Sequence, residues 1–285
     1  MKLSKGFYLT FGAAFFWALG IITTKFIFLR GENVFNFTFW VIIFATPFWI
    51  FILSRNFGEL KKITKQDYIL LLSIGLISMV LLNIVDFFAI KYSQAINYSF
   101  LIRTSIIFTI FFSFIFLGEK ITLKKIILAT MILIGAFFLT TKGQKIILTT
   151  GDILTLIDAA LVSFGNTILG KIAVKRMSSG LSASVSFLVG VLPITIIVLY
   201  LHKLEIPHSI YLIILAAIFS TVGTLFRFKA YQNATASYVA MVYSFTPVIV
   251  FILAVTFLKE SVTYLQLLGG TLIVLSGVLV EKLKM

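Results

Sequence analysis

The sequence contains no cysteine, which excludes a disulfide framework, a thiolate metal site and a cysteine nucleophile. Histidine is almost absent. His202 and His208 flank Pro207 and read as interfacial turn residues rather than as a metal pair. No constellation resembles a nucleophile with its base, and there is no phosphate loop, so neither an enzyme nor a cofactor is expected. Charge is scarce, at 12% of 285 residues against 60% hydrophobic, and the mean hydropathy is +1.10. A soluble domain cannot cover its surface with so little charge, so the fold class expected is an all-α polytopic membrane protein. A β-barrel is excluded because the apolar runs are continuous over about twenty residues, where barrel strands alternate over about ten. The formal charge of +14 does not point to nucleic acid as a partner. The Lys and Arg residues sit between apolar runs, where anionic lipid headgroups meet them.

Ten apolar segments can be placed, at 7–28, 35–53, 68–90, 96–117, 125–141, 152–172, 181–201, 209–229, 235–257 and 264–281. At about twenty residues each they leave only short turns and no room for a soluble domain. The first segment runs straight into the bundle, so it reads as a span and not as a signal peptide, with Lys2 and Lys5 as anchors. If the N-terminus is cytoplasmic, sixteen Lys and Arg residues fall on the inner face and six on the outer, with Lys25 and Arg103 inside spans. That bias predicts both termini in the cytoplasm, and a multi-pass protein of the cytoplasmic membrane of a prokaryote.

The stretch 89–122 recurs 141 residues later as 230–263. Ala89 matches Ala230 and Ala95 matches Ala236. Phe116-Leu117-Gly118-Glu119 matches Phe257-Leu258-Lys259-Glu260, and Thr122 matches Thr263. Pro47 pairs with Pro193 and Gly20 with Gly165 at slightly longer offsets. Two five-span repeats follow, 1–145 and 146–285. Five is odd, so the repeats are expected to be inverted, with Glu119 inside and Glu260 outside. Thr122 and Thr263 are placed to cap the fifth and tenth spans, Thr263 with Gln266 at capping-box spacing. Glu119 and Glu260 read as turn residues that satisfy helix-start N–H groups. Gly135, Gly269, Gly270 and Gly277 permit close helix contact, which makes the fifth and tenth spans scaffold.

Ionisable groups at depth are the strongest residue-level signal. Lys25 lies near a helix end, from which its stem reaches water. Arg103 lies seven residues into the fourth span, with Asp86 and Asn83 on one face of the third, and an Asp86–Arg103 pair across the turn is expected. Asp158 and Asn166 share a face of the sixth span. Arg227 and Lys229 sit at the end of the eighth, where snorkelling is the plain reading. Arg227 nonetheless aligns with Asp86, so opposite charges at mirror positions are candidate gate elements. In the ninth span Pro247 frees the carbonyl of Tyr243, and Ser244 aligns with Arg103. Trp17, Asn97 and Tyr98 add a ring, an amide and a phenol suited to an amphipathic metabolite.

These residues carry a likeness. Ala14-Phe15-Phe16-Trp17-Ala18-Leu19-Gly20, Ala89 to Glu119, and Ala234-Thr235-Ala236 leading to Thr246-Pro247 and Glu260 resemble the EamA-type transporters of the drug/metabolite transporter superfamily over essentially the whole chain. The resemblance implies two inverted five-helix repeats around a central cavity, with export or import of amino acids and other metabolites, often with proton exchange. It points to Trp17, Asn83, Tyr98, Arg103, Asn166, Tyr243 and Ser244 as lining residues. The family's proline in the fourth span is Ile106 here, which speaks against like bends in both repeats. The resulting expectation is a secondary transporter, working as an exporter, for a small polar or zwitterionic solute. Arg103 would meet a carboxylate, and Asp86 or Asp158 an amine or a proton. The partners are then the solute, membrane lipids and protons as coupling ion. The alternatives are a facilitative channel or uniporter, and a structural membrane protein that moves nothing.

Overall fold

The computed structural model describes residues 3–201, 204–259 and 261–283, apart from the side chains of Phe87 and Ala95. Lys2, His202, Lys203, Glu260 and Lys284, which entered the reading of the sequence, lie outside the described residues. Ten helices among the described residues are long and apolar enough to cross a membrane. They are Lys5–Leu29, Val34–Arg55, Lys65–Tyr92, Ile96–Leu117, Leu123–Thr141, Thr150–Arg176, Ser179–Leu201, Ile210–Asn233, Ala236–Leu258 and Tyr264–Lys282. They are the ten segments expected, most of them lengthened by a turn or less at each end because capped polar residues join the helix. We call them the first to tenth spans. An even number of spans brings both ends of the described chain to one end of the bundle, the terminus-bearing end.

The helix starts follow local chemistry. Thr122 accepts from Lys125 N at 3.3 Å to begin the fifth span, and Thr263 with Gln266 forms a complete capping box at the tenth. Asp152 accepts from Thr149 N at 2.7 Å to open the sixth. Gly118 takes a left-handed φ of 67° to end the fourth span, and Lys259 does the same at the end of the ninth with φ 53°.

Packing has a simple rule. The first span packs on the eighth and the third on the sixth. The first also packs on the ninth and the fourth on the sixth, the second on the eighth and the third on the seventh. The second and seventh, the fourth and ninth, and the fifth and tenth pair with each other. Exchanging the first five spans for the last five leaves this pattern unchanged. Trp49 stacks on Phe187 at 5.5 Å between the two proline-bearing spans, the second and seventh. Between the fifth and tenth spans a Cβ on Gly135 would lie 2.7 Å from Gly269 O, and one on Gly269 2.5 Å from Gly135 O. Only backbones that lack side chains on both surfaces approach this closely.

Four spans depart from α-helical geometry. π-Helical turns occupy Leu76–Leu81 in the third and Val162–Leu169 in the sixth, where Gly165 packs on Ile77 and Ser78. A 3₁₀ turn, Ile102–Thr104, breaks the fourth. The ninth is interrupted at Ser244, between Ala236–Tyr243 and Phe245–Leu258. Arg103 and Ser244 are 141 residues apart, so both repeats break at the matching position although only the ninth span has a proline. Hydroxyls explain this. Thr104 Oγ1 donates to Leu101 O at 2.6 Å, and Ser163 Oγ donates to Ser105 O at 3.0 Å. In the ninth span Thr246 Oγ1 donates at 2.7 Å to Tyr243 O, the carbonyl that Pro247 leaves without its N–H. The expectation that Ile106 speaks against like bends in both repeats is thus corrected as to position: both spans break at matching residues.

Gly135→Val should destabilise the purified protein by about 1–3 kcal/mol, read as a lower unfolding midpoint in detergent. Gly58→Ala, where a Cβ meets nothing within 4 Å, serves as the control. Equal midpoints for the two variants would show that the fifth and tenth spans do not pack backbone to backbone.

Candidate functional site

Three polar clasps hold the terminus-bearing end. Glu119, at the end of the fourth span, accepts from Ala236 N at 2.6 Å and Ser237 N at 3.2 Å at the start of the ninth, with Lys125 Nζ 3.6 Å away. A carboxylate at a helix N-terminus satisfies orphan donors and meets the positive end of the helix dipole. Glu281 accepts from Ser4 N at 2.6 Å, from Ser4 Oγ at 2.9 Å and from the Tyr238 hydroxyl, tying the tenth, first and ninth spans. Lys171 Nζ, from the sixth span, donates to the terminal carbonyls of the eighth, Ala234 O at 2.7 Å and Tyr231 O. At the far end Asp152 accepts from Asn97 Nδ2 at 2.8 Å, and Asn97 also donates to Ile147 O. Asn97, expected to face solute, is therefore committed to capping.

Between these ends lies a column of polar groups. Tyr98 donates its hydroxyl to Asp86, and the carboxyl groups of Asp86 and Asp158 lie side by side across the packed third and sixth spans. Asp158 is 1% exposed. Tyr98 also stands within electrostatic reach of Arg103. One turn of chain beyond Tyr98, Arg103 and Tyr243 are within reach of each other, and Tyr243 is within reach of Arg227. The Arg227 guanidinium lies over the Trp17 ring, 5.8 Å from its centroid. Asp86, Arg103, Tyr243 and Arg227 are half-buried although they lie well inside their spans, and Tyr98, near the start of the fourth, is half-buried as well. Charged groups at this depth need polar neighbours or water rather than hydrocarbon.

The expected Asp86–Arg103 ion pair does not form. Lys125–Glu119 and Arg176–Asp67 form ion pairs, whereas Asp86 is taken up by Tyr98 and Asp158. The reason lies in the packing: the third span meets the sixth more extensively than it meets the fourth, and Tyr98, a turn before Arg103, reaches Asp86 first. Arg103 Nε and Arg227 Nε are both buried without a hydrogen-bond partner.

Of the residues singled out from sequence, the structure brings together Trp17, Asp86, Tyr98, Arg103, Asp158 and Tyr243. Asn83 lies just beyond the π turn and donates to Met79 O at 2.7 Å, so its amide repairs the helix. Asn166 is half-buried within the π turn of the sixth span. Ser244 is 4% exposed and donates to Met241 O, which makes it part of the break rather than of a lining. For Arg227 the sequence offers two readings, a snorkelling residue and a gate element opposite in charge to Asp86. It joins the column from six residues inside the eighth span, which speaks against simple snorkelling.

The comparisons agree with this architecture. The model of the family described as "EamA-like transporter family" matches residues 4–141 and again 149–281. A protein of Methanothermobacter thermautotrophicus, described as an uncharacterized transporter, is 24% identical over 236 residues, covering 80% of this chain and 68% of that protein. A crystal structure of a protein superposes with a TM-score of 0.79 at 15% identity, over 99% of this chain and 98% of that one, and so shares the fold.

The chain has no cysteine, so paired substitutions test the column directly. With a short bifunctional thiol reagent, Asp86→Cys/Asp158→Cys should cross-link several-fold faster than Asp86→Cys/Arg103→Cys. The opposite order would restore the ion pair expected from sequence.

Proposed function

Since the chain belongs to the EamA-like transporter family, we propose that it is a secondary transporter that carries a small polar or zwitterionic metabolite, an amino acid or related compound, across the cytoplasmic membrane of a prokaryote, as an exporter. The observation that carries this reading is the column itself. It holds an acid pair, Asp86 and Asp158, and, in Arg103, a guanidinium without a counter-ion among the described residues. A zwitterion supplies the missing carboxylate to Arg103 and an ammonium to the acids, and both are held by charge-assisted hydrogen bonds.

The mechanism is alternating access between two inverted five-helix repeats, 1–145 and 146–285. The packing pattern that survives exchange of the halves, and the family match to each half in turn, support that reading. The bias of basic residues toward one face supports both termini lying in the cytoplasm. The clasps around Glu119, Glu281 and Lys171 close the terminus-bearing end and would open in the other half of the cycle. The breaks at Arg103 and Ser244 let the outer and inner halves of the fourth and ninth spans swing separately. Two adjoining carboxyls inside a membrane do not both ionise, so Asp86 and Asp158 share a proton beside Tyr98 and Arg103. Binding of the solute's ammonium displaces that proton, and its return to the emptied site makes the exchange of proton for solute.

Reconstituted protein should drive solute exchange against an imposed proton gradient, and a difference of one pH unit should support about a tenfold solute ratio. Asp158→Asn should abolish that dependence while solute counterflow persists. Identical uptake by the unaltered protein with and without the gradient would end the coupling reading.

A further inference from the structure

We propose that Asp152 and Glu281 latch two matching gates, one at each end of the bundle, and that the far gate, latched by Asp152, opens the more readily. This rests on the transport reading above and extends it to the state in which the protein waits for solute.

The two ends follow one pattern. Ser4, Gly6 and Thr10 open the first span, and Thr149, Gly151 and Thr155 open the sixth, each 145 residues later. Ser4 and Thr149 are the N-caps. Thr10 Oγ1 donates to Gly6 O at 2.8 Å, and Thr155 Oγ1 donates to Gly151 O at 3.0 Å. Each glycine receives the tip of a helical hairpin. A Cβ on Gly151 would lie 2.1 Å from Ser93 N, at the tip joining the third and fourth spans, and one on Gly6 would lie 3.0 Å from Ala234 Cβ, at the tip joining the eighth and ninth. Ser93 and Ala234 are 141 residues apart, and so are Asn97 and Tyr238, through which each hairpin meets a carboxylate. At the far end Asn97 Nδ2 donates to Asp152 at 2.8 Å, and Ser93 Oγ donates to it as well. At the terminus-bearing end the Tyr238 hydroxyl donates to Glu281, which also accepts from Ser4 N at 2.6 Å. The pattern survives exchange of the halves except in the helix that supplies the carboxylate.

That exception makes the gates unequal. Asp152 lies in the first turn of its own helix and accepts from Thr149 N at 2.7 Å. When the hairpin leaves, its carboxylate keeps that bond and the positive end of the helix dipole. Glu281 lies in the last turn of the tenth span, where a helix presents carbonyls and the negative end of its dipole, so its own helix offers it no donor in exchange. Lys171 adds to the difference. Its Nζ donates to Ala234 O at 2.7 Å on the terminus-bearing tip, and the residue 145 positions earlier is Phe26, which has nothing to donate. Without solute the protein therefore opens to the far end more often than to the terminus-bearing end.

Ala89 and Ala230 are matching residues, one turn inside the two tips and fully buried. In the cysteine-free chain Ala89→Cys and Ala230→Cys can be labelled singly with a hydrophilic maleimide, in lipid nanodiscs, with rates taken relative to the unfolded chain. Ala89→Cys should react about tenfold or more faster than Ala230→Cys without added solute. Glu281→Gln should speed labelling at Ala230→Cys and slow it at Ala89→Cys, since the opening of one gate closes the other. Hydrogen exchange in the unaltered protein reads the same tips even if a variant does not fold. The Ser93 amide, bonded to Ala89 O at 2.8 Å, should exchange faster than the Ala234 amide, bonded to Ala230 O at 3.0 Å. Equal rates at the two tips, or the reverse order, would overturn the proposal and leave the transport reading standing, as would an effect of Glu281→Gln confined to Ala230→Cys. Opening of both tips only on global unfolding would overturn both.

Discussion

Hydrocarbon supplies no hydrogen bonds, and that constraint governs this molecule. Where the third, fourth and ninth spans leave α-helical geometry, a hydroxyl or amide from the chain takes a nearby carbonyl. Thr246 serves Tyr243 O beside Pro247, Thr104 serves Leu101 O, Ser163 serves Ser105 O and Asn83 serves Met79 O. The breaks are therefore stable features, and they sit at the depth where charged side chains must be accommodated. Arg103 stands inside one break and Ser244 inside its counterpart, so a single local solution appears in both halves with different side chains in it.

The helix ends obey the same constraint with charge added. Glu119 and Glu281 are each placed where several N–H or O–H donors converge from other spans, and Lys171 is placed where helix carbonyls end. A carboxylate so bound joins three helices through one point. The terminus-bearing end is consequently held by few groups, each worth more than a surface ion pair because its partners are fixed and largely shielded from water. Aromatic packing, such as Trp49 on Phe187 and Phe16 beside Phe226, fills the space between without choosing a direction.

Much of this was written locally in the sequence. Ten spans follow from apolar runs, the caps at Thr122 and Thr263 from residue type and spacing, and the contact of Gly135 with Gly269 from small residues in adjacent helices. What escaped depends on which helix lies beside which. Asp86 seemed destined for Arg103 because they flank one short turn. The larger surface shared by the third and sixth spans carried it to Asp158, and a phenol intervened. Asn97 looked like a lining amide until the start of the sixth span was seen beneath it. Arg227 looked like a residue reaching for water because its distance from Asn233 is short. Its direction depends on the first span, over two hundred residues away in sequence. The fourth span's break was hidden for another reason: proline is the usual sign of such a break, and here hydroxyls perform the task without one.

One asymmetry bears on motion. The third and sixth spans contain π turns, whereas their counterparts, the eighth and first, are continuous α-helices. A π turn holds one more residue per hydrogen-bonded ring than an α turn, so its loss rotates everything beyond it by about 100°, and its migration rotates the stretch it crosses by as much. Asp86 lies beyond the turn in the third span, and Asp158 lies just before the turn in the sixth. The acid pair is thus mounted on two screws with spare thread, and the guanidinium of Arg227 on a rigid post. A shift in helix register in either π turn would re-aim the acidic residues and leave Arg227 where it is.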